Sequence, residues 1–325
     1  MKYNSLGRTG VQVSPLCLGT MNFTYRTQED DAMAMLDRAI DAGINFIDTA
    51  NFYGQPANGG KGQGLCETLL GKAFQGKRNQ VVLATKFVAP MDWTNPNARG
   101  GSRRHLIQQC EASLKRLNTD HIDLYQMHHP CPDIPIDETL RALDDLVKSG
   151  KVRYIGTSSF AAWQLMEAVS VSEKYLLNRF ISEQPRYNLL ARHIESELLP
   201  MAEKYGIGIM AYAPLQGGLL SGKYHRDQPH PDDSRLADSI WGDWAIGYHH
   251  DRIYDVLEGL QKIATEKNCS LSQLAIAWVI HQPAVVTSII GPRTMAQFED
   301  NLDAIKVELT EEDLKQMDEL TQPVS

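Results

Sequence analysis

Cysteine is scarce in this chain: Cys17, Cys66, Cys110, Cys131 and Cys269 are spread over 325 residues, and no C-x-x-C pair occurs. An odd number of scattered cysteines matches neither a disulfide framework nor a zinc site, because both need paired or closely spaced thiols. We therefore expect no metal centre, and a protein that works in a reducing compartment such as the cytosol.

Long apolar runs and an excess of basic charge are also missing. No stretch reaches the roughly 18 apolar residues of a transmembrane helix, and the opening "MKYNSLGRTGVQVS" lacks the apolar segment of a signal peptide. The formal net charge is −8, and no run of like charges forms a tail. These features predict a cytoplasmic protein whose partners include neither nucleic acid nor a membrane.

What the sequence does contain is a regular alternation of short apolar runs and longer helical patterns. The stretch "SLGRTGVQVS" predicts a hairpin that turns at Thr9-Gly10, and roughly eight strand–helix units follow it. Strands separated by single helices pair in parallel through right-handed crossovers. Eight such units in about 300 residues fit a closed barrel better than an open sheet.

Two segments go beyond eight units. A long polar loop at 223–250 precedes an extra helix near 251–267, and Thr310 is placed to cap a terminal helix. No linker divides the chain. We therefore predict one domain over residues 1–325 with an α/β fold, a (β/α)8 TIM barrel that carries an N-terminal β-hairpin and extra C-terminal helices.

Reactive side chains occur where three consecutive predicted strands end. Asp48 ends the second barrel strand with Tyr53 in the loop behind it, Lys86 ends the third, and His128 ends the fourth. Each residue alone has an ordinary structural explanation, such as a cap, a solvated lysine or loop packing. Barrel enzymes, however, keep their chemistry at the carboxyl ends of strands. Because neighbouring strands lie about 5 Å apart, we expect the four groups to meet in one cavity.

Together these groups predict proton donation to a carbonyl oxygen. A tyrosine hydroxyl with a pKa near 10 is a weak acid at neutral pH, and a nearby ammonium such as Lys86 lowers that pKa. Asp48 would hold Lys86 charged, and Nε2 of His128 could orient the carbonyl. Since no metal-ligand spacing occurs, hydride transfer from a cofactor is the favoured reaction. A hydrolase or lyase that uses Lys86 as a Schiff-base nucleophile is an alternative.

The stretch "PLQGGLLSGKY", residues 214–224, contains part of a phosphate-loop pattern. Gly217, Gly222 and Lys223 match G-x-x-x-x-G-K, but Tyr224 stands where a magnesium-binding Ser or Thr is required. The stretch follows the seventh barrel strand, which suits the phosphate site that barrels form after strands seven and eight rather than a nucleoside triphosphate loop. A flexible surface loop is the alternative.

Seven motifs in order give the chain a resemblance to the aldo-keto reductases. They are "DTANFYG", "TKF", "DLYQMHHP", "GTSSF", "EQPRYN", "AYAPLQGGLLSGKY" and "GPRTMAQFEDN". The resemblance covers nearly the whole chain and implies an NADPH-dependent reductase of aldehydes, ketones or keto-sugars. It assigns Tyr53 as the proton donor, Asp48 and Lys86 as the pair that tunes it, and His128 as the residue that orients the carbonyl.

The resemblance also implies an NADPH site. Tyr212 would stack on the nicotinamide ring, and Ser158 and Gln184 would hydrogen-bond its carboxamide. Arg293 suits a 2′-phosphate, which makes NADH the less favoured cofactor. The full set of implied cofactor-binding residues is Gly19, Thr20, Met21, Asp48, Ser158, Gln184, Tyr212, Pro214, Leu215, Gly217, Lys223, Gly291, Arg293, Gln297 and Asn301.

This sequence departs from the family pattern in three places: it has Ser159 where Asn is frequent, His129 where Trp is frequent, and a longer loop at 54–66. Phe23 and Trp93 are candidates for an aromatic substrate wall, as are the other aromatics of the same loops, although such side chains could equally pack the loops onto the barrel. The small-molecule carbonyl substrate itself and the oligomeric state do not follow from the sequence. A cofactor-binding redox sensor, resembling the channel subunits of this family, is a further alternative.

Overall fold

The computed structural model describes residues 1–54, 62–226, 228–232, 234 and 251–321. It contains the closed barrel of eight parallel strands that the alternating pattern predicts. A two-stranded antiparallel hairpin precedes the barrel, formed by β1 (Asn4–Ser5) and β2 (Gln12–Val13), as the sequence predicts. The barrel strands are β3 (Leu16–Gly19), β4 (Phe46–Asp48), β5 (Val82–Phe87), β6 (Ile122–Met127), β7 (Val152–Ser158), β8 (Ser182–Gln184), β9 (Gly208–Tyr212) and β10 (Val285–Ile290).

Each barrel strand pairs in parallel with its neighbour along the chain, and β10 closes the barrel on β3. The α-helices of the described residues are α1 (Glu29–Asp41), α2 (Leu65–Ala73), α3 (Arg103–Leu117), α4 (Ile136–Lys148), α5 (Ala162–Tyr175), α6 (Leu198–Tyr205), α7 (Asp251–Glu266), α8 (Leu271–His281), α9 (Met295–Asp303) and α10 (Glu311–Thr321). The predicted extra helix is α7, and the predicted terminal helix is α10. In the ranges given above, no helix is long and apolar enough to cross a membrane.

Local sequence signals fix several helix ends. The hydroxyl of Ser102 accepts a hydrogen bond from the backbone N–H of His105 at the start of α3. Thr310 and Asp313 exchange bonds at the start of α10, since each side chain accepts from the backbone N–H of the other. Both residues thereby satisfy N–H groups that a helix leaves without partners in its first turn.

The core has two parts. Apolar side chains of the barrel strands and the surrounding helices form the larger part, and a smaller cluster fills the amino-terminal end of the barrel beneath the hairpin. Gly7 in the hairpin turn has φ of +56°, and a Cβ there would lie 2.3 Å from the carbonyl oxygen of Ile181. Only glycine allows this approach. The hairpin therefore closes one end of the barrel and leaves the carboxyl ends of the strands for the site.

Candidate active site at the carboxyl end of the barrel

The structure brings the four predicted catalytic side chains together around Lys86. This lysine is fully buried on β5, and its Nζ lies 2.5 Å from Oδ2 of Asp48, at the end of β4. The same Nζ lies 2.9 Å from the carbonyl oxygen of Thr49 and 3.4 Å from the hydroxyl of Tyr53. The rings of Tyr53 and His128 meet edge to face with centroids 6.1 Å apart. A phenol, an ammonium and an imidazole thus share one end of the barrel.

Asp48 is held by two amides as well as by Lys86. Nε2 of Gln126 donates to its Oδ1 at 3.0 Å, and Nε2 of Gln184 donates to the same oxygen at 2.9 Å. The carboxylate is nearly fully buried, so these donors replace the water that it would otherwise bind. Gln126 was not among the residues predicted from the sequence. It could have been found as a polar residue in an apolar strand, two positions before His128, because alternate residues of a strand share one face.

The pKa of Tyr53 is raised, whereas the sequence led us to expect that Lys86 would lower it. Burial raises the pKa of its hydroxyl, Lys86 lowers it, and Asp48 raises it, with a net result above the usual value. The predicted effect of Lys86 is therefore present, but it is outweighed. Taking a phenolate out of water costs more than one nearby ammonium returns, since that ammonium is itself paired with Asp48. Tyr53 is consequently a protonated phenol across the neutral range.

The pKa values of Lys86 and His128 are shifted in opposite directions. Burial lowers the pKa of Lys86, but Asp48 and Tyr53 raise it by more, so the ammonium is the stable form. Burial, Lys86 and His129 all lower the pKa of His128, to well below its usual value. His128 is therefore a neutral imidazole at neutral pH. Its Nδ1 is buried and has no hydrogen-bond partner among the described residues.

The residues that the family resemblance assigns to the carboxamide lie at the ends of β7 and β8. The hydroxyl of Ser158 donates to the backbone carbonyl of Gln184 at 2.9 Å, so the proton of that hydroxyl is already used. The amide nitrogen of Gln184 donates to Asp48. Tyr212 stands half-buried at the end of β9, one strand further along the barrel. Ser158 and Gln184 therefore offer lone pairs, as hydrogen-bond acceptors, to a carboxamide.

A cavity of about 490 Å³ opens beside Tyr212. Its lining consists of residues 159–162 after β7, residues 185–186 after β8, residues 193–194, and residues 196–198 at the start of α6. This volume is within the range of small-molecule sites, which is roughly 300–1,000 Å³.

The predicted phosphate loop is a tight irregular turn after β9. Gln216–Ser221 forms a distorted 3-10 segment in which Gly217 and Gly218 have φ of 65° and 104°. A Cβ on Gly218 would lie 3.2 Å from Nζ of Lys223, and positive φ already disfavours any side chain at that position. Pro214 is buried, and Leu215 is half-buried at the start of the turn. The glycines thus bring backbone close to the lysine ammonium.

The remaining implied cofactor residues lie around the ends of β3 and β10. Thr20 donates through its hydroxyl to the carbonyl of Asp48 at 3.1 Å. Oε1 of Gln297 accepts from the backbone N–H of Arg293, which fixes the turn that follows Gly291. Asn301 is buried on α9. The rest of this group continues the same rim, namely Gly19 at the end of β3 and the half-buried Met21.

The two substrate candidates differ from each other in exposure. Phe23 is fully buried in the larger core, because the turn at 20–27 folds its ring inward, which agrees with the alternative that it packs the loop onto the barrel. Trp93 is 65% exposed on the loop that follows β5, so it neither packs that loop nor is covered, and its substrate role stays a prediction. The other aromatics include Trp241 and Trp244, which lie outside the described residues, and the half-buried Tyr25.

No group of three or more His, Cys, Asp or Glu side chains with the geometry of a metal site occurs in the part of the chain that the structure describes. The free cysteines there include three that are buried.

Several known proteins are similar to this chain over most of its length. The model of the family described as "Aldo/keto reductase family" matches residues 15–322. An uncharacterized oxidoreductase of Bacillus subtilis is 42% identical over 326 residues, covering 98% of this chain and 96% of the relative. A probable voltage-gated potassium channel subunit beta of Oryza sativa is 38% identical, with 94% and 92% covered. A putative aryl-alcohol dehydrogenase of Saccharomyces cerevisiae is 31% identical, with 99% and 98% covered.

Proposed function

The chain belongs to the aldo/keto reductase family and is an oxidoreductase of that type, and on this premise we propose that it reduces an aldehyde or ketone with NADPH and with Tyr53 as proton donor. The observation that carries the proposal is the contact between the Tyr53 hydroxyl and Nζ of Lys86 at 3.4 Å, with that ammonium fixed by Asp48. NADPH, when bound, would supply the hydride for the carbonyl carbon.

The side chains supply the proton. Because its pKa is raised, Tyr53 keeps its proton until a carbonyl oxygen beside it gains negative charge, and it then gives the proton to that oxygen. The ammonium of Lys86 stabilises the phenolate that is left behind, since the cation was placed there before the reaction. Asp48 and its two amide donors keep Lys86 from turning away.

His128 orients the carbonyl as a neutral donor. A neutral imidazole has one N–H, and a buried N–H without an acceptor costs more than a buried lone pair without a donor. Because Nδ1 is buried and without a partner in the described part of the chain, the proton is better placed on Nε2. Nε2–H can then donate to the same carbonyl oxygen that receives the proton of Tyr53.

The residues present fit a nicotinamide cofactor. A carboxamide NH2 has two donors, and Ser158 Oγ and the side-chain oxygen of Gln184 offer two acceptors for it. The Gly217–Gly218 turn beside Lys223 suits a pyrophosphate, since small residues allow backbone N–H groups to approach phosphate oxygens. Arg293 suits the 2′-phosphate, which is why NADPH is proposed rather than NADH.

The proton-donor role is tested with Tyr53→Phe. NADPH should bind to this variant as to the parent, while kcat for carbonyl reduction should fall by at least about 100-fold, the usual contribution of a general acid. Tyr175→Phe, which changes an exposed phenol on α5, is the matched control and should leave both quantities unchanged. Turnover of Tyr53→Phe at the parent rate would show that another group donates the proton.

The cofactor preference is tested with Arg293→Ala. Loss of a charge-assisted contact to the 2′-phosphate should weaken NADPH by roughly 10-fold or more and NADH by much less, measured by fluorescence titration. Arg153→Ala, at an exposed arginine of β7, is the control. Equal weakening of the two cofactors would refute the assignment.

Two other functions are less well supported. A Schiff-base lyase needs an unprotonated lysine, whereas the pKa of Lys86 is raised by Asp48 and Tyr53. A cofactor-binding sensor with little turnover rests only on the relatives named as potassium channel beta subunits. Tight NADPH binding without turnover on any aldehyde or ketone tested would favour the sensor.

A further inference from the structure

Glu183 is a buried carboxyl group that the proposed mechanism does not use. It lies on β8 directly before Gln184 and is fully buried. Gln184 points into the barrel, where it contacts Asp48. Because successive side chains of a strand point to opposite faces, Glu183 points out of the barrel, toward the layer of helices. The catalytic pair of Asp48 and Lys86 therefore lies on the other face of this strand.

The hydrogen bonds around Glu183 fit a carboxylic acid better than a carboxylate. Oε2 lies 2.5 Å from the hydroxyl of Thr157, and that hydroxyl also lies 3.2 Å from the carbonyl oxygen of Ser182. A hydroxyl has one hydrogen, so it cannot donate to both acceptors. If Glu183 carries a proton on Oε2, that oxygen donates to the hydroxyl of Thr157, and the hydroxyl donates to the carbonyl oxygen of Ser182. Each group in this series of hydrogen bonds then has a partner.

In the described part of the chain, the two helices that pack on this face of β8 give Glu183 no countercharge. The residues of α5 and α6 that are buried against the barrel are Leu165, Ala168, Val169, Ser172, Leu198 and Ala202, none of which ionises. The partner of Glu183 in the β8–β9 register is Ile209, and no ion pair of the described residues includes Glu183. Burial raises the pKa of Glu183 to about 8, although the hydrogen bonds that Thr157, Phe160 and Ser159 would donate to its ionised form lower it.

The other carboxyl oxygen holds the turn that follows β7. Oε1 accepts from the backbone N–H of Phe160 at 2.9 Å. The carbonyl of Gln184 accepts from the backbone N–H of Ser159 at 3.1 Å and from the hydroxyl of Ser158 at 2.9 Å. Ser159 has φ of 61°, a left-handed value that few non-glycine residues adopt. Three hydrogen bonds from the end of β8 hold the turn in this conformation.

We infer that Glu183 is a positioning residue for the cofactor site, a neutral carboxylic acid that ties the turn at 158–160 to the end of β8. The inference rests on the proposed function, because the turn presents Ser158 to the carboxamide. A protonated Glu183 both donates to Thr157 and accepts from Phe160 without a buried charge. Glutamine can make the same two bonds, whereas alanine can make neither.

Hydrogen exchange and cofactor binding test the inference separately. In the protein without cofactor, Glu183→Ala should speed exchange of the Phe160 amide by at least about tenfold, since that amide loses its acceptor. Glu183→Gln should leave the exchange rate unchanged. NADPH titrations at pH 7 should give a parent-like Kd for Glu183→Gln and a Kd at least about tenfold higher for Glu183→Ala. The exposed Glu173→Gln is the matched control for both measurements.

The outcomes are distinguishable. If Glu183→Ala shows the exchange rate and the Kd of the parent, the positioning role is wrong. If Glu183→Gln behaves like Glu183→Ala, the assignment of Glu183 as a neutral acid is wrong. Only the parent has a carboxyl group at position 183 that can ionise, so the ratio of the parent Kd to the Glu183→Gln Kd should rise at least threefold between pH 7 and 9.5. A constant ratio would also contradict the assignment of Glu183 as a neutral acid. If the parent binds neither NADPH nor NADH, the proposed function fails, while the exchange result still decides the role of Glu183 in the turn.

Discussion

Replacing Glu183 by glutamine should make the protein more stable, and by an amount that grows with pH. The parent buries a group that ionises in the unfolded chain near its ordinary pKa of 4.5 and in the folded protein at about 8. Between these two values, the unfolded state releases a proton that the folded state keeps. A rise in pH therefore favours unfolding of the parent, and the loss is complete above pH 8. The glutamine variant has no such group.

The size of the effect follows from the two pKa values. Their difference corresponds to about 5 kcal/mol, since each pH unit is worth about 1.4 kcal/mol. At pH 5 only about 1 kcal/mol of this cost is present, and at pH 9 nearly all of it is. With about 2.1 cal/mol/K of unfolding entropy per residue, a chain of 325 residues should show a gap in Tm that widens by roughly 6 °C between these pH values.

Thermal unfolding of the parent, Glu183→Gln and Glu173→Gln, followed by circular dichroism from pH 5 to 9, measures the gap. The Glu173 variant controls for the loss of an exposed carboxyl on α5 and should follow the parent at every pH. A gap for Glu183→Gln that does not change with pH would refute the reasoning, because it would mean that Glu183 is ionised in the folded protein throughout.

Three further changes test how the barrel is held together. Arg116→Met should lower the free energy of urea unfolding by about 3–5 kcal/mol, because it leaves the fully buried carboxylate of Glu67 without its ion-pair partner at 2.6 Å. Adding Glu67→Gln should recover most of this loss, and additive effects in the double variant would contradict the reasoning. Ser102→Ala should cost about 1 kcal/mol by removing the cap of α3, and no loss would show that the cap is unimportant. Gln126→Leu should cost about 1–3 kcal/mol by removing one of the two amide donors to Asp48, and a neutral result would show that the second donor suffices.

Much of this architecture could be predicted because it depends on periodicity. The alternation of strand and helix patterns predicts the barrel, and a barrel puts the ends of consecutive strands at one face. That is why Asp48, Lys86 and His128, which are 80 residues apart at the extremes, could be expected to meet before any coordinates were available. The hairpin and the helix caps were also predictable, since each depends on a few adjacent residues.

What could not be predicted depends on which of several opposing effects is larger. The sequence indicates that Lys86 lowers the pKa of Tyr53, but the net direction depends on how deeply the phenol is buried, and that is a property of the folded chain. Phe23 shows the same limit. An aromatic residue in a loop at the active face could line a pocket or pack inward, and the bonds of the turn at 20–27, including one from Thr27 to the carbonyl of Arg293, select the second.

Gln184 links the two halves of the site, so they cannot be treated as independent. Its side chain donates to Asp48, which holds the Lys86 ammonium beside the Tyr53 hydroxyl. Its backbone carbonyl accepts from Ser158 and Ser159, which belong to the turn assigned to the carboxamide. We therefore expect a substitution at Gln184 to disturb the proposed proton donation and the proposed cofactor binding together. Glu183, which touches the turn but points away from Asp48, is the position in this strand where the two effects can be separated.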